Sequence, residues 1–259
     1  YEIGVRLVGS EMCIRDSLLR EQGVETIAIC FLHSYVNPQP ERKAAEIVER
    51  TWPGALVCTS SQVLPERREY ERFSTTALNA YIAPRMSRYL NQLSASLRTG
   101  GLSVTPEIMS SSGGSWPFDE MAQLPVNSML SGPAGGVIGT VEFARNLDID
   151  NVITYAMGGT STDTCLIRGG RYALATEGMV GGLPNRAPEI EINTVGAGGG
   201  SLAYLGDGGF LNVGPRSAGA FPGPACYGYG STEPTVTDAK VVLGRFRPMQ
   251  PLGGEITID

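Results

Sequence analysis

The order of strand and helix signals between residues 26 and 59 constrains the fold more than any other feature. Thr26–Leu32 is a continuous, mainly apolar run, which is typical of a strand buried on both faces. Asn37 and Pro38 end this run, a helix is expected over residues 41–50, and residues 55–59 form the next strand signal. Two strands separated by one helix pair in parallel through a right-handed crossover. The sequence therefore predicts an α/β fold.

A long helical segment is expected from residue 66 to residue 98. Apolar and aromatic residues recur there at the spacing of a helix face, in one group before Pro84 and another after it. Because proline interrupts a helix, the segment is expected to form either two helices or one kinked helix. Both groups are interpreted as core-packing surfaces: Tyr70, Phe73, Ala77, Leu78, Tyr81 and Ile82, then Met86, Tyr89, Leu90, Leu93 and Leu97.

The second half of the chain is predicted to be richer in strands. A helix over residues 131–147 is interpreted as packing between two lobes, with an N-terminus that could also hold an anion. Short β-type runs separated by glycine turns follow, which is typical of antiparallel hairpins. The predicted strands are residues 152–155, 164–167, 172–176 and 190–195, and a further hairpin turns at Asp207-Gly208-Gly209.

Composition excludes several classes of function. The net charge of −6 argues against a nucleic-acid-binding surface, and no run approaches the roughly 18 apolar residues of a membrane span. The single histidine, His33, excludes a histidine metal cage and a Ser-His-Asp triad. The five cysteines lack a CxxC spacing and are interpreted as reduced thiols, so a cytoplasmic protein is expected. Because the chain lacks an initiating Met, it is expected to be cut from a longer protein.

Glycine makes up 34 of the 259 residues, against an average of about 7%, and it is concentrated in loops. One such loop, Met157–Asp163, reads MGGTSTD between two predicted strands. Paired glycines are expected to turn with positive φ and to bring backbone amides against a bound group. Thr160, Ser161 and Thr162 add hydroxyl donors and Asp163 adds a carboxylate, so the pattern suits a phosphate with its Mg²⁺. The alternative interpretation is a plain β-turn with Ser/Thr capping.

A second glycine-rich loop, Val195–Ser201, reads VGAGGGS. Three consecutive glycines cost backbone entropy and contribute no side-chain packing. Close passage of a ligand along the backbone would explain that cost, and a flexible loop is the alternative. The loop is not a Walker motif, because no Gly-Lys-Ser/Thr follows, and it lacks the GxGxxG spacing. Two such glycine-rich turns in one chain indicate a binding site more strongly than either alone, and they are expected to converge on one cleft.

Several ordered sequence runs together resemble the hydantoinase A and 5-oxoprolinase family, which also includes the ATP-using subunits of acetone and acetophenone carboxylases. The resemblance covers nearly everything except residues 9–17, whose sequence GSEMCIRDS is interpreted as either foreign or native and is given no role. The runs that carry it are Phe31–Tyr35, Arg68–Arg72, Leu130–Ala134, Met157–Asp163, Gly196–Ser201, Gly214–Ala220, Pro222–Gly228 and Thr235–Ala239.

The resemblance implies an actin-like (sugar-kinase-like, ribonuclease H-like) two-lobed α/β fold, incomplete at both ends, with ATP between the lobes. It implies that residues 1–57 are the end of the family's N-terminal region. Residues 58–259 would then be the hydantoinase A/oxoprolinase domain, with a second lobe starting near residue 131. Met157–Asp163 would be the second phosphate loop, and the family's first phosphate loop would precede Tyr1.

Individual residues are also given candidate roles. Asp163 is expected to bind Mg²⁺ and to act in catalysis. Asp238 is a second candidate catalytic residue, although it could instead cap a helix that starts at Ala239. Cys226 is interpreted as an unreactive thiol. The candidate ATP-binding residues are Gly158, Gly159, Thr160, Ser161, Thr162, Gly198, Gly199, Gly200 and Ser201.

The chain departs from the family pattern at three positions that could otherwise supply a metal ligand or a general base. It has Ala156 where Asp usually precedes Met-Gly-Gly, Asn193 where His is frequent, and Phe221 where Asp or His precedes Pro-Gly-Pro-Ala-Cys. Because alanine cannot ligate Mg²⁺, Ala156 is the departure that bears most directly on phosphoryl chemistry.

The resemblance predicts an ATP-dependent hydrolase that opens a hydantoin- or 5-oxoproline-type ring after phosphorylating its carbonyl oxygen. A B-type hydantoinase subunit or domain is the expected partner, and a place in glutathione metabolism is implied. One alternative is an ATP-using subunit of a ketone carboxylase. Another is a degenerate subunit that binds nucleotide or serves as a scaffold without turnover, which Ala156 and Phe221 motivate.

Overall fold

The computed structural model of the protein describes residues 19, 21–246 and 258. These residues form a mixed α/β chain that divides into two compact units. The first unit comprises the chain up to Gly135 together with Leu174–Ile190, and the second comprises Gly136–Ala173 and the chain from Glu191 onward. Residues 9–17 lie outside the described residues. The domain division after residue 57 and the lobe boundary near residue 131 stay predictions.

The secondary structure alternates helices and strands at first and becomes strand-rich later. The described helices are α1 (Gln39–Thr51), α2 (Ser60–Val63), α3 (Glu69–Thr99), α4 (Phe118–Gln123), α5 (Ser131–Arg145) and α6 (Val236–Val242). The described strands are β1 (Thr26–Ile29), β2 (Leu56–Thr59), β3 (Glu107–Met109), β4 (Ser115–Pro117), β5 (Val152–Met157), β6 (Thr162–Ile167), β7 (Leu174–Ala175), β8 (Gly178–Val180), β9 (Leu183–Asn185), β10 (Glu189–Ile190), β11 (Asn193–Val195), β12 (Ser201–Leu205) and β13 (Leu211–Ser217). None of the described helices has the length and apolar character needed to cross a membrane.

The first strand, helix and strand confirm the predicted parallel crossover, because β1 and β2 pair in parallel on either side of α1. The predicted length of β1 was wrong. The strand ends at Ile29, its one buried residue, and Leu32 lies 70% exposed in the turn that follows. His33 has a φ of 57° in that turn, so the chain leaves the sheet before the apolar run is over.

Helix α3 is one helix of 31 residues with Pro84 inside it, so the two-helix alternative was wrong. The prediction of two apolar core stripes was also wrong in part. Tyr70, Tyr81 and Tyr89 are 66%, 81% and 54% exposed. The buried positions of the first half of the helix are mostly polar: Arg72, Ser74, Thr75, Thr76 and Asn79 accompany Leu78, Ala80 and Ala83.

Arg72 explains this polar burial, because its fully buried guanidinium donates to three groups on different segments. Its Nε donates to Ser60 Oγ at 3.1 Å, its Nη1 to the Glu66 carbonyl at 3.1 Å, and its Nη2 to the Phe31 carbonyl at 2.7 Å. An ion pair with Glu69 Oε2 at 2.9 Å balances the charge. Arg72 therefore ties the first turns of α3 to the carboxyl ends of β1 and β2.

Glu41 is the acidic counterpart of this arrangement and is also fully buried. Its carboxylate accepts hydrogen bonds from Ser60 Oγ at 2.6 Å, from the Phe31 amide at 2.7 Å and from the Ser61 amide at 2.8 Å. Burial opposes ionisation of the carboxyl, but these hydrogen bonds outweigh it and lower the pKa of Glu41. We call Arg72, Glu41, Ser60 and Glu69 the Arg72 network.

The apolar core of the first unit lies along α3 and the segments that follow it. Leu90 of α3 packs with Phe118 and Met121 of α4. A second cluster joins Leu78 to Val126 and Ala187. The unit also contains the antiparallel pairs β3–β4, β8–β9 and β7–β10.

The second unit confirms two predicted hairpins, β5–β6 and β12–β13, both antiparallel. Two strand predictions were wrong because tertiary pairing divides the segments. The predicted strand 190–195 splits into β10 and β11, and β11 completes a three-stranded sheet in the order β11-β6-β5. The predicted strand 172–176 reduces to β7, which pairs with β10 rather than extending the β5–β6 hairpin.

Candidate functional site

The two glycine-rich loops lie against each other in the second unit. We call residues 158–161 the first glycine loop and residues 196–200 the second. The amide of Gly199 donates to the carbonyl of Gly158 at 2.8 Å, and the amide of Gly200 donates to the carbonyl of Gly159 at 2.7 Å. The two turns are therefore in direct contact, although some forty residues separate them in the sequence. That they line one cleft stays a prediction.

Close backbone approach explains the glycines of the second loop. A Cβ added at Gly198 would lie 2.6 Å from the backbone nitrogen of Thr160. A Cβ at Gly200 would lie 2.9 Å from Ser217 Oγ and 3.1 Å from the Gly159 carbonyl oxygen. The protein's own chain thus occupies the space that a bound ligand was expected to take. The positive φ expected of Gly158 and Gly159 was wrong, since neither has a left-handed backbone.

Three side-chain hydroxyl groups form hydrogen bonds with backbone groups of the second glycine loop. Ser201 is fully buried, and its Oγ accepts from the Gly198 amide at 2.8 Å. Thr162 Oγ1 donates to the Ala197 carbonyl at 2.5 Å, and Thr237 Oγ1 donates to the Gly199 carbonyl at 2.8 Å. The hydroxyls of Thr162 and Ser201, both predicted to bind ATP, are thus engaged within the protein.

The first glycine loop instead offers unused donors. Gly158, Gly159 and Thr160 are exposed, and the loop is closed by a hydrogen bond from the Gly158 amide to the Ser161 carbonyl at 2.9 Å. Within the described part of the chain, the amides of Gly159 and Thr160 donate to no acceptor. Consecutive free amides in a turn form a concavity that binds anions. The amides of Gly159 and Thr160 are therefore open to an acceptor from outside the described residues.

Asp163 lies two residues beyond this loop, on the central strand β6. Its direct partners are Ala156 on β5 and Thr194 on β11, so the three side chains share one face of the sheet. Thr194 Oγ1 donates to Asp163 Oδ1 at 2.7 Å, which orients the carboxylate. Sequence reasoning missed Thr194, because only the pairing of β11 with β6 brings it to Asp163.

The surroundings of Asp163 bear on whether it could hold a metal ion. Among the described residues, no group of three or more His, Cys, Asp or Glu side chains could hold a metal. The described residues alone therefore supply no such cluster around Asp163. This is compatible with Mg²⁺, which is often held by one or two carboxylates together with substrate phosphates and water.

Asp238 serves the structure at the start of α6. Thr235 is the N-cap, so the predicted start of this helix at Ala239 was wrong, and Asp238 is the third helical residue of a capping box. Its carboxylate accepts from the Thr235 amide at 2.7 Å and from the Cys226 amide at 2.8 Å. Burial opposes ionisation, but these hydrogen bonds outweigh it and lower the pKa of Asp238. Its catalytic role stays a prediction.

Two further side chains near the loops complete the description. Burial, reinforced by Asp238, raises the pKa of the Cys226 thiol to about 11, which agrees with an unreactive cysteine. Lys240 of α6 places its Nζ 3.2 Å from Met157 Sδ, next to the first glycine loop. Sequence reasoning missed Lys240, because α6 approaches β5 only in the folded chain.

The family follows from comparison with known proteins. The hydantoinase/oxoprolinase domain matches residues 72–259, and the hydantoinase/oxoprolinase N-terminal region matches residues 15–52. The chain belongs to the hydantoinase/oxoprolinase family.

Three family members illustrate the range of relatives. The crystal structure of the ATP-dependent caprolactamase from Pseudomonas jessenii is 40% identical, with a TM-score of 0.80 over 98% of this chain and 38% of its own. A nucleotide-free acetone carboxylase structure, from work on ATP-dependent acetone carboxylation, is 30% identical, with a TM-score of 0.76 over 96% of this chain and 36% of its own. The 5-oxoprolinase of Saccharomyces cerevisiae is 39% identical over 92% of this chain. The chain spans 18% to 38% of the length of these relatives.

The structure places the three departures from the hydantoinase/oxoprolinase pattern in different surroundings. Ala156 lies directly opposite Asp163. Asn193 lies on β11 opposite Thr164, on the other face of the same sheet. Phe221 is 79% exposed, and its ring centroid lies 5.7 Å from that of Tyr229. Ala156 is therefore the departure that changes the immediate neighbourhood of Asp163.

A pair of glycine substitutions tests the contact between the two glycine loops. Gly198→Ala is expected to destabilise the protein by about 1–3 kcal/mol, because its Cβ would overlap backbone atoms of Gly159 and Thr160 that cannot move independently. Gly159→Ala is the matched control, since its Cβ meets nothing within 4 Å, and a change within about 0.5 kcal/mol is expected. Urea denaturation measures both, and equal effects would contradict the contact.

Proposed function

We propose that the chain is part of an ATP-dependent enzyme that opens a cyclic amide ring of the hydantoin or 5-oxoproline type. The observation that carries the proposal is the pair of unused amides at Gly159 and Thr160, on the hairpin that also carries Asp163. The family supports it, because relatives include an ATP-dependent caprolactamase and a 5-oxoprolinase. The actin-like, two-lobed architecture belongs to the same proposal.

The residues of the first glycine loop fit a nucleotide phosphate. The amides of Gly159 and Thr160 would bind phosphate oxygens, and the hydroxyls of Thr160 and Ser161 would add donors. The carboxylate of Asp163, oriented by Thr194, would hold Mg²⁺ or one of its water ligands. Gly198–Gly200 and Ser201 would support the backbone of the first glycine loop and would not contact the nucleotide.

ATP would supply the activation that a neutral amide lacks. The terminal phosphoryl group would pass to the ring carbonyl oxygen with release of ADP, and water would then add to the carbonyl carbon. The ring C–N bond would break, and a second water would release the phosphate. The contribution of this chain would be to position that phosphoryl group and to stabilise its charge. A B-type hydantoinase subunit or domain is the proposed partner, and a cytoplasmic place in glutathione metabolism is the proposed setting.

A ketone carboxylase subunit is the second candidate. The acetone carboxylase structure matches 96% of this chain with a TM-score of 0.76, and its reaction also uses ATP. The same first glycine loop would then serve to phosphorylate a ketone or bicarbonate. A degenerate subunit is the third candidate, and Ala156 opposite Asp163 is the observation that favours it.

Ring-dependent ATP hydrolysis separates these candidates. The reading frame that contains this chain would be expressed with a B-type subunit and assayed for phosphate release with and without Mg²⁺. Stimulation by hydantoin or 5-oxoproline is the expected result. Stimulation by acetone and bicarbonate alone would favour the carboxylase. ATP binding without turnover on any substrate would sink the amidase proposal in favour of a degenerate subunit.

A further inference from the structure

A pocket of about 670 Å³ lies in the first unit, at the N-terminal end of α3. It is lined by Tyr35, Pro65, Glu66, Arg67, Arg68 and Arg186, and we call it the arginine pocket. We propose that the arginine pocket binds a small molecule through its carboxylate group, and that the side chain of Glu177 competes for the same position.

Glu177 already places a carboxylate oxygen between two of these arginines. Its Oε1 lies 2.8 Å from Arg68 Nη1 and 3.8 Å from Arg186 Nη2, so one oxygen faces two guanidinium groups. The side chains of Arg68 and Glu177 are 58% and 63% exposed. Because exposed ion pairs contribute little to stability, a ligand carboxylate can take this place at small cost.

Arg186 supplies a donor that the protein leaves unused. Its side chain is 16% exposed, and its Nη2 also contacts Glu66 Oε2 at 3.2 Å. Its Nε is buried and meets no hydrogen-bond acceptor among the described residues. Nε and Nη2 form one edge of the guanidinium, the geometry that pairs with both oxygens of a carboxylate. A carboxylate in place of Glu177 would approach Nη2, and rotation of the Arg186 side chain would bring Nε to it.

Arg67 adds a positive charge that has no ion-pair partner among the described residues. It lines the arginine pocket, is exposed, and makes no ion pair in the part of the chain that the structure describes. Its neighbour Arg68 has a φ of 75°, an uncommon conformation for a residue other than glycine. This strained backbone lies where two successive arginines, Arg67 and Arg68, line one pocket. Backbone strain of this kind concentrates at functional sites.

Tyr35 and Pro65 give the arginine pocket an apolar wall. The guanidinium of Arg72 lies 5.3 Å from the centroid of the Tyr35 ring, so the Arg72 network supports this wall from the interior. The pocket therefore combines three arginines with a flat apolar surface, although Arg68 also pairs with Glu71 at 3.6 Å and Arg186 also pairs with Glu66. This combination suits a carboxylate carried on a compact ring or short chain.

A cyclic amide that bears a carboxylate, or the amino acid formed when its ring opens, belongs to this chemical class. That connection rests on the proposed function. Binding of the carboxylate does not, because it needs neither ATP nor turnover. The two ideas can therefore fail separately.

Calorimetric titration of the full chain without ATP tests the proposal. The probes are 5-oxoproline, 2-pyrrolidinone (the same ring without the carboxylate), acetate and inorganic phosphate. 5-Oxoproline is expected to bind at least about tenfold more tightly than 2-pyrrolidinone, as the loss of a charge-assisted hydrogen bond implies. Equal affinities, or no binding of either carboxylate, would overturn the proposal. Phosphate binding as tight as that of 5-oxoproline would overturn the assignment to carboxylates.

Two variants locate the binding. Arg67→Ala, at an exposed position, is expected to weaken 5-oxoproline binding by about tenfold. Glu177→Gln removes the competing charge and is expected to tighten binding severalfold. Glu233→Gln is the matched control, because Glu233 is an exposed carboxylate paired with Arg216 at 3.3 Å in the second unit, and no change is expected. Unchanged or weaker binding in Glu177→Gln would refute the competition.

Discussion

Asp163→Asn is expected to reduce ATP turnover by about 10²–10⁴-fold while leaving the fold intact. The range is that of a positioned acid or base group. Asparagine is nearly isosteric, so it keeps an acceptor for the Thr194 hydroxyl, which donates to Asp163 Oδ1 at 2.7 Å. It loses the negative charge that a Mg²⁺-bound nucleotide requires. Phosphate release and a thermal melt, measured in the reading frame that contains the chain, give the two readouts.

The control for this variant is Asp207→Asn, in the β12–β13 turn, which should leave turnover unchanged. Thr194→Val should give a smaller loss than Asp163→Asn, because it removes only the group that orients the carboxylate. Full activity of Asp163→Asn would show that this carboxylate has no part in catalysis. The metal site would then have to be sought elsewhere in the protein.

Ala156→Asp extends the same experiment. It restores the residue usual in the family and places a second carboxylate directly opposite Asp163. Like charges at paired strand positions repel, so the variant should melt at a lower temperature without Mg²⁺ and recover when Mg²⁺ is added. A rise in turnover would mean that the natural site is merely weakened. The absence of any Mg²⁺ effect on melting would argue against a metal at this end of the sheet.

Arg72→Met is expected to lower the free energy of unfolding by about 3–5 kcal/mol, because three acceptors inside the protein lose a charged donor at about 1–3 kcal/mol each. The guanidinium is fully buried and donates to Ser60, Glu66 and Phe31. Removing it leaves these acceptors and the Glu69 carboxylate without their partner. Urea denaturation followed by circular dichroism measures the change.

Arg88→Met is the matched control, since Arg88 lies on the same helix α3 and pairs with Glu25 at 2.8 Å. Both of those side chains are 58% exposed, so a loss within about 1 kcal/mol is expected. Similar losses for the two variants would show that burial of the Arg72 network does not govern its contribution.

Local pattern was enough to predict much of the fold. The parallel pair β1–β2, the long helix α3 and the hairpins β5–β6 and β12–β13 all follow from periodicity and turn residues close in sequence. The predictions failed where contacts between residues distant in sequence determine which strands pair. The predicted strand 190–195 divides because β10 pairs with β7 and β11 pairs with β6, and neither partner is adjacent in sequence.

At the candidate site, too, local pattern predicted part of the arrangement and contacts between distant residues determined the rest. The sequence alone singled out Met157–Asp163 and Gly196–Ser201, because runs of glycine and hydroxyl residues are rare without a structural or binding reason. It could not tell which residues face a ligand. The tertiary structure engages Ser201 and Thr162 in holding the second glycine loop and leaves the amides of Gly159 and Thr160 unused.

The sequence by itself determined the family, the α/β order of elements and the two loops, since these depend on residues a few positions apart. Only the tertiary structure decided that Arg72 and Glu41 are buried, because a charged residue enters a core only when distant groups satisfy it. It alone brought Tyr35, Arg67 and Arg186 to one pocket and placed Thr194 on Asp163. Contacts between residues so far apart in sequence leave no local pattern to read.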